Sequence, residues 1–121
     1  MNSTIPTQAA PRDPRIEAAI ARLLSNRDDE IEGTFCHGLF ERGVFDAALF
    51  ESLVADLQLV SSDAVARQAH RANIVWIALG VCRCVFSHFD IEDGYRIVNL
   101  DDALYSKWSG DYFERLRELL D

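Results

Sequence analysis

Residues 61–80, SSDAVARQAHRANIVWIALG, form the stretch that decides the fold, and they predict a long helix. Ser62 is the predicted N-cap, because a side-chain oxygen there can accept a backbone N–H of the first turn. Apolar side chains recur at helical spacing along one predicted inward stripe, which consists of Val65, Ala69, Ala72, Trp76 and Leu79. Past Asn73 the sequence is apolar on every side, which is typical of a helix that runs into the centre of a domain.

Three more helices are predicted before this segment. They cover residues 13–26, 28–43 and 45–61. Asp13 and Asp46 are the expected caps of the first and third, and Gly43 is expected to end the second. The second helix is expected to begin with four acids in its first turn, where the helix dipole favours negative charge.

The segment after the long helix predicts a small β-hairpin over residues ~86–99. A three-residue loop, 92–94, would place Gly94 in the left-handed conformation and would set Asp90 opposite Arg96. Two short helices, over 100–110 and 111–121, are expected to finish the chain. The predicted fold class is therefore mainly α, a single-domain helical bundle of about five to six helices with one small β-hairpin.

The bulk properties limit the class of function. A chain of 121 residues suggests one domain, which we expect over residues 13–121 after a flexible N-terminal lead, residues 1–12. The formal net charge of −8 repels phosphate, so direct binding of nucleic acid is not expected. No apolar run approaches the ~20 residues that a membrane span needs. Three cysteines without a disulfide framework fit the reducing cytoplasm, where we expect the protein.

Residues 79–90, LGVCRCVFSHFD, are the candidate for metal or catalytic chemistry. Cys82 and Cys84 would diverge by about 200° on a helix, and only on a strand would they share a face with His88. The spacing is not that of a structural zinc site, and no hydrolase, P-loop or dinucleotide signature occurs. The sequence therefore predicts no metal, no cofactor and no catalytic set.

One family resemblance falls in the same stretch. RCVFSH, residues 83–88, resembles the Arg-x4-His signature of HEPN-type ribonucleases, which are small, all-helical and usually dimeric. The resemblance implies that Arg83 and His88 would act together on RNA at a dimer cleft. It covers six residues, and Cys84 stands where that family usually carries a polar residue. The predicted hairpin would place His88 on a strand, whereas the family carries the motif on a helix.

Acidic side chains gather at three predicted corners of the molecule. They are Asp28, Asp29, Glu30 and Glu32 in the first group, Asp90, Glu92 and Asp93 in the second, and Asp101 and Asp102 in the third. Acids at helix starts and turns are expected to be exposed, either as a solvated surface or as a binding face for a basic protein. Tyr95 and Tyr105 lie beside the second and third groups and are the candidate interface anchors.

These observations predict a non-enzymatic acidic binding protein of the immunity-protein, antitoxin or inhibitor type. Its expected partner is a basic protein, such as a nuclease or another toxin that acts on nucleic acid. A HEPN-like ribonuclease is one alternative. The other is a subunit or scaffold of a larger complex, in which the Trp76 helix or the face around Phe40 completes the core of a partner. The sequence leaves the oligomeric state open.

Overall fold

The computed structural model describes residues 12–121, and these residues form helices with no β-strand among them. The first four helices are α1 (Pro14–Arg27), α2 (Phe35–Arg42), α3 (Ala47–Ser61) and α4 (Ala64–Phe89). A fifth, C-terminal helix consists of α5 (Asp102–Lys107), a π-helical turn (Trp108–Tyr112) and α6 (Phe113–Glu118). The predicted class, a mainly helical single domain, is confirmed. The predicted flexible lead lies outside the described residues except for Arg12, whose guanidinium pairs with Glu17 at 3.1 Å.

α1 and α3 form as the sequence predicts. The carboxylate of Asp13 accepts the backbone N–H of Arg15 at 2.8 Å, and Pro14 occupies the first helical position, where its missing N–H leaves no bond unmade. The carboxylate of Asp46 accepts the backbone N–H of Leu49 at 3.0 Å. The two helices pack side by side, and Arg22 of α1 is held to Asp56 of α3 by two hydrogen bonds of 2.9 Å.

α2 is shorter than the sequence predicts. It begins only after Thr34, whose hydroxyl oxygen accepts the backbone N–H of His37, and Gly43 ends it in the left-handed conformation as expected. Residues 28–34 form turns, with Gly33 at a φ of 88°. The prediction that the first acidic group occupies the first turn of this helix is therefore wrong. Asp28 and its neighbours belong to a loop, because a positive φ interrupts the helix that the acids would have started.

α4 is the long helix that the sequence predicts, but it starts and faces differently. Asp63 caps it in place of Ser62, with its carboxylate accepting the backbone N–H of Val65. Its buried side chains are Ala66, Ile74, Ile77, Ala78, Val81 and Val85. Val65 and Leu79, both on the predicted inward stripe, are 67% and 53% exposed. The predicted stripe thus lies largely on the outer side of the helix, and α4 covers the core without passing through it.

The predicted β-hairpin over residues ~86–99 does not form. α4 continues to Phe89, and Gly94 has no positive φ, so the left-handed residue that the loop required is missing. The imidazole Nδ1 of His88 accepts the backbone N–H of Ile97 at 2.9 Å, which ties the returning chain to α4 instead of to a partner strand. Arg96 donates to the backbone carbonyl oxygen of Asp90 at 3.3 Å. The predicted pairing of the Arg96 guanidinium with the Asp90 carboxylate across a hairpin is not made.

The returning segment is anchored to the link between α2 and α3. The backbone N–H of Val98 donates to the carbonyl oxygen of Gly43 at 2.7 Å. The side chain of Asn99 spans the backbone of Phe45, accepting its N–H at 2.9 Å and donating to its carbonyl oxygen at 2.8 Å. These bonds satisfy extended backbone that has no strand to pair with. They also fix where the second acidic group lies on the surface.

The C-terminal helix is continuous, whereas the sequence predicts two helices that meet at Asp111. Asp101 caps α5, and the π-helical turn carries the chain past Gly110 without a break. Trp108, Tyr112 and Leu116 face the core from successive turns. At the far end, the guanidinium of Arg71 on α4 donates to the carbonyl oxygens of Leu119 and Leu120, at 2.8 and 2.6 Å.

An aromatic cluster forms the centre of the core. The Phe45 ring lies 5.0 Å from Phe35, 5.3 Å from Phe50 and 5.9 Å from Tyr112, measured between centroids. Trp108 closes the cluster at 6.2 Å. Phe45 belongs to the α2–α3 link and is 1% exposed, so this short connection contributes a central core side chain. The cluster joins the C-terminal helix to α2 and α3 and leaves the outer side of α4 without a covering element.

Candidate partner-binding surface on the long helix

The outer side of α4 is an exposed apolar surface. Leu79 is 53% exposed, Phe86 75% and Phe89 56%. Ile91, just past the helix end, is 88% exposed. Single exposed apolar residues are normal, but a group of large neighbouring ones is typical of a surface that contacts a protein, a membrane or a ligand.

The same helix has a composition that also suits a lipid environment. Within residues 12–121, one helix, α4, is long and apolar enough to cross a membrane. In its most apolar stretch of 18 residues, 28% of the residues are buried in the structure. Core helices of globular domains share these properties. α4 has this length and apolar content even though Arg83 interrupts the longest apolar run in the sequence.

Two grooves flank a ridge that contains Phe86. The first groove encloses about 1180 Å³ and is lined by apolar side chains that include Phe40, Trp76 and Tyr95. Gly80 allows Phe40 to lie against α4, because a Cβ at this position would stand 2.9 Å from the ring. The groove carries charge of both signs, since Asp29 and Arg83 line it and the Arg27 guanidinium stacks on the Trp76 ring at 3.9 Å.

The second groove lies between α4 and the C-terminal helix and encloses about 540 Å³. Phe86 and Phe89 line it from α4, and Tyr105 and Phe113 line it from the C-terminal helix. The rings of Phe89 and Tyr105 meet edge to face, with centroids 5.0 Å apart. Asp90 is the charged residue in this lining.

Three of the nine acids predicted from the sequence lie in or next to a groove. Asp29 reaches the first groove and Asp90 the second, while Asp102 lies one helical turn from Tyr105. The other predicted acids line neither groove: Asp28, Glu30, Glu32, Glu92, Asp93 and Asp101.

Four of the predicted acids also have a local structural role. The carboxylates of Asp28, Asp90, Asp93 and Asp101 accept backbone N–H groups two or three residues ahead, as acids in turns and caps do.

Protein-family models, curated proteins and solved structures were compared with the chain, and none of the three comparisons found a significant match.

The two predicted tyrosines differ in what their hydroxyl groups do. The Tyr95 hydroxyl donates to the backbone carbonyl oxygen of Leu39, and the ring lines the first groove. Burial, and next the neighbouring Cys84, raise the pKa of Tyr95. The Tyr95 ring is therefore held in place in the lining of the first groove. Tyr105 is 42% exposed, and its ring lines the second groove.

Arg83 and His88 both lie on α4, so the prediction that placed His88 on a strand is wrong. Five residues of helix separate them by about 140° around the axis. Arg83 lines the first groove and His88 lines neither, since its Nδ1 is engaged with the Ile97 backbone. Within one chain the two side chains therefore do not converge on a common cleft.

We expect His88→Ala to lower the free energy of unfolding by about 1–3 kcal/mol, because the buried N–H of Ile97 would lose its acceptor. Arg83→Ala is the control on the same helix, where the exposed side chain should contribute little. Chemical denaturation measures both. Unchanged stability of His88→Ala, together with RNA cleavage by the wild type that this substitution abolishes, would support the ribonuclease alternative.

The three cysteines are free thiols on the helices. Cys82 and Cys84 point about 200° apart on α4, and burial raises the pKa of both thiols. Cys36 is fully buried, which raises its pKa to about 12. Among residues 12–121, no group of three or more potential ligands is placed to hold a metal ion.

Sequence reasoning missed the apolar part of this surface. The sequence places Leu79 on the inward stripe of the long helix and Phe89 in a hairpin, whereas both side chains are exposed on this surface. One signal was available: a helix that is apolar on every side needs more cover than a small bundle supplies. The alternative that the Trp76 helix completes a partner's core rests on the same signal.

Proposed function

We propose that this chain is a non-enzymatic acidic binding protein of the inhibitor or immunity-protein type, which neutralises a basic protein partner in the cytoplasm. A nuclease or another toxin that acts on nucleic acid is the kind of partner that fits, because its own cationic cleft would match the acidic groups and exclude phosphate.

The observation that carries this proposal is how the carboxylates are paired. Within residues 12–121, none of the nine acids in the three groups forms an ion pair, whereas seven of the other eleven acids do. The unpaired negative charge is thus concentrated in the loops at residues 28–32 and 90–102. Negative charge that is not neutralised within the fold is available to a cationic partner, and it accelerates association at low ionic strength.

Exposed aromatic rings beside this charge supply the second requirement of a tight interface. Interfaces gain most of their affinity from a few large side chains near the centre, which are surrounded by polar groups. Phe89 and Tyr105 are such rings, and Asp90 and Asp102 lie beside them. A larger complex that uses this chain as a subunit would use the same apolar surface, and only the charge dependence separates that function from neutralisation of a basic protein.

Affinity capture from a native extract tests the proposal. The bait is the wild type, compared with a variant in which Asp90, Glu92, Asp93, Asp101 and Asp102 are changed to Asn or Gln. These amides retain the turn and cap hydrogen bonds, so the fold is preserved while the charge is removed. We expect the wild type to retain a protein of high isoelectric point, identified by mass spectrometry, and the variant to lose it.

The control changes Glu17, Glu41 and Glu118 to Gln, which removes three negative charges elsewhere on the surface. It should capture the basic protein as the wild type does. Capture of nothing, equal capture by the five-residue variant, or a captured partner that is acidic would overturn the proposal. A partner that the five-residue variant also retains at high salt would indicate the subunit function instead.

A further inference from the structure

We infer that the second groove, between α4 and the C-terminal helix, binds an amphipathic helix of the partner protein that carries Lys or Arg beside its apolar stripe. The inference deepens the proposed function and rests on it for the basic character of the partner.

The shape of the groove fits a helix better than a small molecule. Two helices form its sides and present aromatic rings, Phe86 and Phe89 on one side and Tyr105 and Phe113 on the other. Such a trough accepts apolar side chains that repeat every three or four residues, which is the mode in which an amphipathic helix binds in a groove. Trp108 and Val85 form an apolar floor, so inserted side chains would be removed from water.

The charge around the groove selects a cationic helix. Asp90 lines the groove, and residues 90–106, which run from Phe89 on one side to Tyr105 on the other, contain five carboxylates and a single basic residue, Arg96. Arg96 is already engaged with backbone carbonyl oxygens of its own loop. The C-terminal end of α4 reaches Phe89 and adds the negative end of its helix dipole beside Asp90. The first groove lacks this bias, since Asp29 and Arg83 both line it and the Arg27 guanidinium stacks on its Trp76 ring.

Three other occupants fit less well. A second copy of the chain in a symmetric dimer would bring two sets of five carboxylates together, which opposes association. The N-terminal segment of the chain, residues 1–11, has no Lys or Arg to pair with Asp90 or Asp102. Anionic lipid headgroups would be repelled by the same carboxylates.

The test uses three labelled model peptides of about 18 residues, long enough for five helical turns. One carries Leu along one face with Lys beside it, the second has the same composition with Leu scattered, and the third replaces Lys with Glu. Fluorescence anisotropy measures their binding to the full chain. We expect the first peptide to bind at least about tenfold more tightly than the other two, and less tightly as salt is raised.

Two exposed rings on α4 give a variant that tests the groove directly. Phe86→Ser with Phe89→Ser should weaken binding of the first peptide at least about tenfold without affecting the fold, because both rings are mostly exposed. The matched control is Val65→Ser, on the same helix but outside both grooves and 67% exposed, which should bind as the wild type does. Asp90→Asn with Asp102→Asn should weaken binding of the Lys peptide and reduce its salt dependence.

Each contrary outcome has a distinct meaning. No binding of the striped peptide, equal binding of the scattered one, or no effect of the Phe86 and Phe89 substitutions would overturn the inference. A wild-type dimer in sedimentation that these substitutions dissociate would assign the groove to a second copy, and vesicle binding lost in the same variant would assign it to lipid.

The two proposals fail in different ways. Equal capture of a basic protein by the wild type and by the Phe86 and Phe89 variant would support the proposed function. It would contradict the inference that the second groove binds the partner. Peptide binding as expected, without capture of any basic protein, would support the groove as a binding site for a helix and contradict the proposed function.

Discussion

Phe45→Ala is expected to lower the free energy of unfolding by about 3–5 kcal/mol. The ring is 1% exposed and contacts Phe35, Phe50 and Tyr112, so its removal leaves a cavity that three rings border. Those rings come from α2, α3 and the C-terminal helix, which cannot all move inward together. The loss is a large share of the total stability of a domain of this size, and chemical denaturation measures it.

Two controls show whether the loss comes from the cavity. Phe45→Leu should cost less than the alanine variant, because most of the volume is retained. Phe86→Ala should change stability by no more than about 0.5 kcal/mol, since that ring is 75% exposed and contributes little to the core. Equal losses for Phe45→Ala and Phe86→Ala would contradict the placement of the core on the inner side of α4.

Gly43→Ala is expected to cost on the order of 2–4 kcal/mol, for two reasons that add. The residue has a φ of 66°, where an L side chain is strained, and a Cβ there would clash with the carbonyl oxygen of Arg96. That oxygen belongs to the backbone of the segment that returns from α4, whose next residues bond to Gly43 and Phe45. The substitution therefore separates the returning segment from the α2–α3 link.

The two reasons can be separated by thermal or chemical unfolding. Gly43→Asn tolerates the left-handed conformation better than alanine but keeps the clash, so a similar loss would show that the contact dominates. Gly94→Ala is the control, because no atom lies within 4 Å of its Cβ and its φ is not positive. A Gly43→Ala protein as stable as the wild type would contradict the described approach of the two segments.

The helices with one apolar face could be predicted from the sequence, and the long helix could be predicted only in part. α1 and α3 begin at their predicted caps, so their position follows from local chemistry. α4 is apolar nearly all round, and the periodicity of such a helix does not specify which side is buried. The buried side is set by α1, α2 and α3, which pack against α4; the buried side chains of α4 include Ile74, Ile77 and Val81.

The predicted hairpin does not form, because other hydrogen bonds of the returning segment override the local turn signal. Glycine after two acids favours a turn, but the backbone of Ile97 bonds to His88 and the backbone of Val98 bonds to Gly43, 55 residues earlier in the chain. Such a pairing leaves no trace in the hydrophobic pattern. The acidic groups were predicted correctly as surface features, whereas the exposed rings beside them were not, since exposure of an apolar side chain depends on which neighbours are present.

The central claim is that the uncovered side of α4 and the C-terminal helix bind a cationic amphipathic helix. Heteronuclear NMR of the chain titrated with the striped Lys peptide tests it most directly, because every backbone amide reports its own environment. We expect the shift changes to concentrate at residues 82–91 and 102–113 and to spare α1 and α3. Changes spread evenly over the molecule, or confined to the side formed by α1 and α3, would contradict the account.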